Sequence, residues 1–402
     1  MRLLFFNAVG AIGGAERVLL TMIESLRKLD RQMEIFLIVG THGALIEAAE
    51  ALGATVVCLP LPQSISRFGD SGARSHFLKF KLLLKAGLAL PKFLSYRKQL
   101  YRLIQRIQPD LIHSNSIKTH LLLAALPRMQ SSIVWHIHDF YQSRPVVARI
   151  LQWAQSSAIR AIAVSNAVAK DAKSLLLRLP IEVIYNAVPP CPIQSTARST
   201  IQIGLVATFA RWKGHDVFLQ AASQVVRELP EASVQFLIVG APIYQTQGSQ
   251  FSIAELQAEV QRLKLDRAVR FVGFQSDPAV IYDSLDIVVH ASTQPEPFGL
   301  VIAEAMSFGK AVIVSNAGGA AELVTPNYDA IAVLPKDVNA IAQAMIDLIQ
   351  NPGERERLGR NARRTALEKF NSDRLGIELL EVYRRCLPGE LSIAHSKDLT
   401  VL

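Results

Sequence analysis

Residues 1–59 read MRLLFFNAVGAIGGAERVLLTMIESLRKLDRQMEIFLIVGTHGALIEAAEALGATVVCL. Three short apolar runs, Leu3–Asn7, Glu34–Val39 and Thr55–Leu59, have the length and composition of buried strands. Between the first two, Val18, Leu19, Met22, Ile23 and Leu26 fall on one face of a helix over Ala15–Leu29. Between the second and third, His42–Leu52 reads as another helix. The order is βαβαβ, the pattern of a parallel sheet covered by helices.

The alternation continues outward from this stretch. Leu111–His113, Ser132–Ile137, Ala161–Val164 and Glu182–Tyr185 read as further strands. Residues 187–200, AVPPCPIQSTARST, hold three prolines and no periodicity, and read as a linker. The pattern restarts with strands at Ile201–Val206, Val234–Val239, Val269–Phe271, Ile287–His290 and Ala311–Val314. Helices at Val217–Leu229, Ile253–Lys264, Val338–Ile349, Glu354–Lys369 and Asp373–Cys386 accompany them. The expected fold class is α/β, with two doubly wound Rossmann-like domains facing across a cleft. The expected divisions are a first domain 1–186, the linker 187–200, a second domain 201–375, and a C-terminal helix and tail 376–402 that packs back on the first domain. A chain of 402 residues suits two domains, because one core stops growing near ~250–300 residues.

Half the residues are hydrophobic and 19% are charged, which excludes a disordered chain. The net charge of +9 is uneven: residues 1–200 hold 24 Lys+Arg against 11 Asp+Glu, and the remainder 19 against 23. Residues 71–108 contain no acid, and interleave basic with apolar side chains. Such a segment can lie on an anionic membrane surface. The three cysteines are far apart, which excludes a disulfide framework and fits a reducing compartment. The opening MRLLFFNAVG reads as a first strand rather than a signal peptide, and no apolar run reaches the ~20 residues of a membrane span. A cytoplasmic location, peripheral at the inner face of the cell membrane, is expected. No nucleic-acid-binding module is present, so nucleic acid is not an expected partner.

Residues 296–324, EPFGLVIAEAMSFGKAVIVSNAGGAAELV, carry the strongest chemistry. Gly299 opens a helix whose first amides, near Phe298, Leu300 and Val301, suit a diphosphate. Glu304, one turn on, can accept hydrogen bonds from ribose hydroxyls, as carboxylates do in dinucleotide sites. In residues 206–221, VATFARWKGHDVFLQA, Lys213 falls between strand and helix, where it can neutralise a leaving diphosphate. Arg211 can add a planar donor fork. Residues 13–17, GGAER, place Gly13 and Gly14 where backbone can approach a ligand, with Glu16 capping the helix. In residues 135–140, WHIHDF, a neutral His138 can bond a sugar hydroxyl and Asp139 can orient its ring. His136 alternates away from it, and His113 reads as structural. No DxD sequence or His/Asp cluster points to a metal.

The string from Glu296 to Glu304 resembles the Glu-x7-Glu motif of the family 4 retaining glycosyltransferases, which have the GT-B fold. The resemblance runs from Gly13 to about Arg374 and is densest over 201–324. It implies that Glu304 holds the donor ribose, that Glu296 faces the transferred sugar, and that Phe298, Gly299, Leu300 and Val301 meet diphosphate or ribose. Gly13 and Gly14 would close over the donor phosphates, and His138 would face the sugar. The family's Gly-Arg after the strand is here Ala207-Thr208, so Lys213 matches the pattern and Arg211 stands in for the arginine. The implied activity is transfer of a hexose from a nucleotide-diphosphate sugar to a glycan or lipid-linked acceptor, in envelope polysaccharide or glycolipid synthesis. The implied mechanism is front-face attack with retention, without a metal or other cofactor. A non-hydrolysing sugar-nucleotide epimerase of the same fold, and a non-catalytic nucleotide-sugar-binding partner subunit, are the alternatives. Ser292–Pro295 and residues 60–110 are expected to set donor and acceptor.

Overall fold

The computed structural model describes residues 1–62, 77–191, 199–242 and 248–387, with backbone alone over 77–89. Residues 71–76 of the basic segment, 192–198 of the expected linker and 388–402 of the tail lie outside the described residues. The chain divides into two compact units. The first holds Met1–Ala163, Asp171–Ile184 and residues from 373 on; the second holds Val164–Lys170 and Tyr185–Ser372.

The first sheet has seven strands: β1 (Arg2–Asn7), β2 (Glu34–Val39), β3 (Thr55–Cys58), β4 (Leu111–Ser114), β5 (Ser132–Ile137), β6 (Arg160–Ala163) and β7 (Ile181–Val183). All are parallel, in the order β3-β2-β1-β4-β5-β6-β7. The register sets Phe5 beside Leu37 on one side and His113 on the other. Among the described residues six helices connect them: α1 (Gly14–Leu29), α2 (Leu45–Ala51), α3 (Phe77–Ile107), α4 (Ile117–Ala124), α5 (Pro145–Ala154) and α6 (Asn166–Lys173). In α1, Val18, Leu19, Met22, Ile23 and Leu26 are buried as their spacing predicts. Each such side chain contributes roughly 1.5–3 kcal/mol by leaving water. The described end of α3 buries Tyr96, Leu100, Ile104 and Ile107 and turns Lys92, Lys98, Arg102 and Arg106 outward.

The second sheet has six parallel strands: β8 (Ile201–Val206), β9 (Val234–Val239), β10 (Val269–Gly273), β11 (Ile287–His290), β12 (Ala311–Ser315) and β13 (Ile331–Val333). Their order is β10-β9-β8-β11-β12-β13. Helices α7 (His215–Glu228), α8 (Ile253–Arg262), α9 (Pro278–Tyr282), α10 (Leu300–Ser307), α11 (Val338–Gln350) and α12 (Pro352–Lys369) accompany it. Its core joins Phe218, Phe236, Ile287, Ile313, Ile341 and Met345, all fully buried. The last helix, α13 (Ser372–Arg384), returns to the first unit, where the Tyr383 hydroxyl meets His113 Nδ1 at 2.7 Å.

Strand order reverses between β1 and β4 in the first sheet and between β8 and β11 in the second. At such a point the connections leave in opposite directions, and the carboxyl ends of the strands open a crevice for ligand. No helix among the described residues is long and apolar enough to cross a membrane.

Candidate active site

In the second sheet, the loops after β8 and β11 meet at the reversal. Gly214 has φ +74°, and a Cβ there would collide with the Ala291 carbonyl, so glycine lets the first loop pack on the second. Thr293 N–H donates to the Trp212 carbonyl at 2.7 Å and ties the loops together. Lys213 Nζ thereby reaches Glu296 Oε1 at 2.6 Å. His290 Nε2 lies 3.1 Å from Glu296 Oε2, and the Ser292 hydroxyl donates to the same oxygen at 2.8 Å. Burial pushes the Glu296 carboxyl up, but the Lys213 ammonium and His290 beside it overcome that and hold it well below the usual carboxylate range. The Glu296 carboxyl is therefore ionised. A lysine has three donors; one is spent on Glu296, which leaves the ammonium able to meet phosphate oxygens as well.

The loop after β12 clamps Glu296 from the other side. Gly319 N–H donates to the Glu296 carbonyl at 2.7 Å, and a Cβ on Gly319 would strike the Pro297 carbonyl. α10 then starts from Gly299, at φ +98°. Its first amides, those of Leu300 and Val301 included, have no intrahelical acceptor, which is what suits them to an anion. Glu304 sits on the first turns of α10, where the fully buried Tyr282 donates to its Oε2 at 2.7 Å. Phe298 is buried, with its ring against Phe370 and Tyr185, so its side chain braces the loop and only its backbone is left for a ligand.

Arg211 is not brought to this cluster. Its guanidinium pairs with Glu255, lies over the Phe251 ring at 4.4 Å, and donates to the Gly248 carbonyl. The expected donor fork at the leaving group is thus committed elsewhere.

The first sheet carries its own polar chain at its reversal. His138, just past β5, places Nε2 2.9 Å from Asn115 Oδ1. Asn115 follows β4 and donates to Asn7 Oδ1, at the end of β1, at 3.0 Å. Asn7 donates to Glu16 Oε1 at 3.1 Å, and Glu16 Oε2 accepts from Gly13 N–H at 3.1 Å. Two expectations change here. The ring of His138 is held by Asn115, whereas Asp139 faces Arg144 at 3.9 Å. The amide of Gly13 is taken by the Glu16 cap, whereas a Cβ on Gly14 would meet open space. His136, expected to point elsewhere, instead lays its ring beside that of His138, with centroids 4.1 Å apart, while its Nδ1 meets Nε2 of the fully buried His113 at 3.1 Å. Among the described residues no group of three or more His, Cys, Asp or Glu side chains is arranged to hold a metal.

Sequence reasoning missed Tyr282, His290, Asn7 and Asn115, and named Ser292 only within a loop expected to set donor and acceptor. His290, Ser292, Asn7 and Asn115 share a usable signal: each is a polar residue at or just past the carboxyl end of an apolar strand. Tyr282, on α9, had none.

Two family models match the chain, Glycosyltransferase Family 4 over residues 12–190 and Glycosyl transferases group 1 over residues 194–365. An uncharacterised glycosyltransferase of Methanocaldococcus jannaschii is 34% identical over 125 residues, 31% of this chain and 32% of the relative. The D-inositol 3-phosphate glycosyltransferase of Corynebacterium urealyticum is 30% identical over 184 residues, 45% of this chain and 42% of the relative. The chain thus spans less than half the length of either. Among solved structures, Anabaena HepE in complex with UDP superposes with a TM-score of 0.77 at 22% identity, covering 96% of this chain and 100% of that one. The two parallel α/β units are those of the GT-B fold.

Proposed function

Because the chain belongs to glycosyltransferase family 4, with the group 1 transferase region in its second half, we propose that it moves a hexose from a nucleotide-diphosphate sugar to a glycan or lipid-linked acceptor with retention. The observation that carries this reading is the Lys213–Glu296 pair, preformed beside the start of α10 and Glu304. In this reading Glu304, oriented by Tyr282, accepts from the donor ribose. The diphosphate lies on the first amides of α10 and on Lys213. Glu296, held by His290 and Ser292, accepts from hydroxyls of the transferred sugar. The acceptor oxygen attacks the anomeric carbon from the side of the departing phosphate, and that phosphate takes its proton. Charge developing on the leaving group meets donors already in place, which is the efficient arrangement because nothing reorganises during reaction. Lys213 and the backbone amides fill the role of a metal.

A UDP-sugar is the first donor to test, since HepE has been solved with UDP and with UDP-glucose. A ligand that binds the native state raises the unfolding midpoint. Thermal shift against UDP-, GDP- and ADP-sugars, followed by transfer assays with chelator present, tests the reading. No stabilisation by any nucleotide sugar would sink it. A chelator-sensitive rate would remove metal independence, and inversion at the product anomer would remove retention.

The acceptor side rests on the outward face of α3, where Leu90 and Leu94 are about half exposed beside Lys92 and Lys98. This face suits the headgroup region of an anionic membrane, and an enzyme there would serve envelope polysaccharide or glycolipid synthesis. Sedimentation with anionic and neutral liposomes tests it; equal, salt-insensitive binding to both would count against it. A second reading, a nucleotide-sugar-binding subunit without transferase activity, draws on the commitment of Arg211 to Glu255. It predicts donor binding with no product on any acceptor.

A further inference from the structure

We propose that Glu16, Asn7 and Asn115 are positioning residues that fix the ring of His138 as the tautomer protonated on Nε2, leaving Nδ1 as a hydrogen-bond acceptor at the reversal of the first sheet. The assignment follows from groups whose hydrogen-bonding sense cannot change. The Val9 carbonyl can only accept, and it lies 2.7 Å from the Asn7 side-chain nitrogen. That places the NH2 end of Asn7 toward Val9 and Glu16, with both its protons used. Asn7 Oδ1 must then face Asn115, at 3.0 Å, and accept from it. Asn115 in turn has only its oxygen left for His138, at 2.9 Å. An oxygen acceptor requires a proton on Nε2.

The ring is neutral, because burial pushes it down to about pH 4, so its tautomer decides what it offers. A neutral imidazole protonated on Nε2 has a lone pair on Nδ1 and accepts from a hydroxyl; the other tautomer would not. Asn7 and Asn115 are each 1% exposed, so neither can turn its amide end for end and recover the lost bonds from water. The same chain ends at Gly13 N–H, so the glycine turn at the head of α1 and the orientation of His138 are set by one hydrogen-bonded unit across the reversal of the first sheet. The partner of Nδ1 as a hydroxyl of the donor sugar rests on the proposed function; the tautomer does not.

Nitrogen NMR of protein labelled with 15N-histidine reads the two ring nitrogens directly, with the His138 signals assigned by their loss in His138→Gln. The wild type is expected to show a protonated Nε2 and an unprotonated Nδ1. Asn7→Leu removes the acceptor that orients Asn115 without touching His138. Its ring should become a mixture of tautomers, with the two nitrogen shifts drawn together and kcat/KM down about tenfold, the worth of one hydrogen bond. Asn7→Asp, protonated toward Glu16 and accepting from Asn115, should keep the wild-type pattern. A wild-type proton on Nδ1, or an unchanged pattern in Asn7→Leu, overturns the proposal. Were Asn7→Leu not to fold, the wild type and Asn7→Asp decide it, and a mixed ring in either overturns it. The tautomer is read without substrate, so these results stand whether or not sugar transfer is found.

Discussion

At Lys213 one ammonium pairs with the buried carboxylate of Glu296 and, in the proposed function, also meets the diphosphate. Lys213→Met should lower kcat by about 10²–10³-fold, the usual loss for one preorganised donor. It should also lower the unfolding temperature, because removing one partner of a buried pair costs about 3–5 kcal/mol. Initial rates and calorimetry measure the two effects, and an unchanged rate would remove Lys213 from the chemistry. The Tyr282 hydroxyl meets Glu304 Oε2 at 2.7 Å and lies farther, 3.4 Å, from the Val301 carbonyl. Tyr282→Phe should weaken donor binding by about tenfold, one hydrogen bond to a charged group, and leave kcat nearly unchanged; calorimetric titration with the nucleotide sugar checks it. The places of Glu296, Glu304 and Lys213 were legible because they follow from local spacing around a strand end and a helix start. The contacts of Tyr282, His290 and Ser292 were not, because which carboxylate each one meets depends on how α9, β11 and the loop after it come together. Arg211 was misplaced for the same reason. Its charge suited a phosphate, but Glu255 and Phe251, brought beside it by the packing of α8, satisfy it instead.

The decisive elements are loops that only glycine can make. Gly319 lies against the Pro297 carbonyl with no room for a Cβ. Gly319→Ala should therefore push Pro297 and Phe298 away and turn the head of α10 off the diphosphate. The expected result is donor affinity down at least tenfold with only a modest fall in thermal midpoint, about the 1–3 kcal/mol of an overpacked position. Equal losses in binding and stability would mean that the turn is merely structural. Buried parallel strands were readable from sequence because both faces are apolar, so each is a continuous run. β13 was missed because Ile331 and Ala332 are only part-buried and the strand is three residues long. The helices α4, α5 and α6 are short and mixed in pattern, and tertiary packing rather than periodicity defines them.

In the first unit four histidines, His113, His120, His136 and His138, are held neutral by burial. The pKa of His113 is pushed down to about 3 and that of His138 to about 4, with His120 and His136 also well below the ordinary 6.5. An unfolded chain takes protons on these rings near pH 6.5 and the folded chain does not, so the stability they carry is complete above pH 6.5 and falls as the pH drops toward 4. Thermal midpoints measured from pH 7.5 to 4.5 should decline with proton uptake on unfolding, and a flat profile would contradict the buried cluster. Glu296 begins to add to the loss only at the foot of that window, where an unfolded glutamate takes up its proton near pH 4.5 while the folded carboxyl stays charged. The two-sheet division was legible from the restart of the alternation near Ile201; the return of α13 to the first unit was an expectation of position only, and its contacts depend on side chains such as Tyr383 that no pattern marks. That return sets an order of assembly. A ribosome delivers the second unit whole while the first, begun earlier, still lacks the phenol for His113 and the Cys386 carbonyl for Ser132. The nascent chain starts one unit, finishes the other, and closes the first with its last described helix.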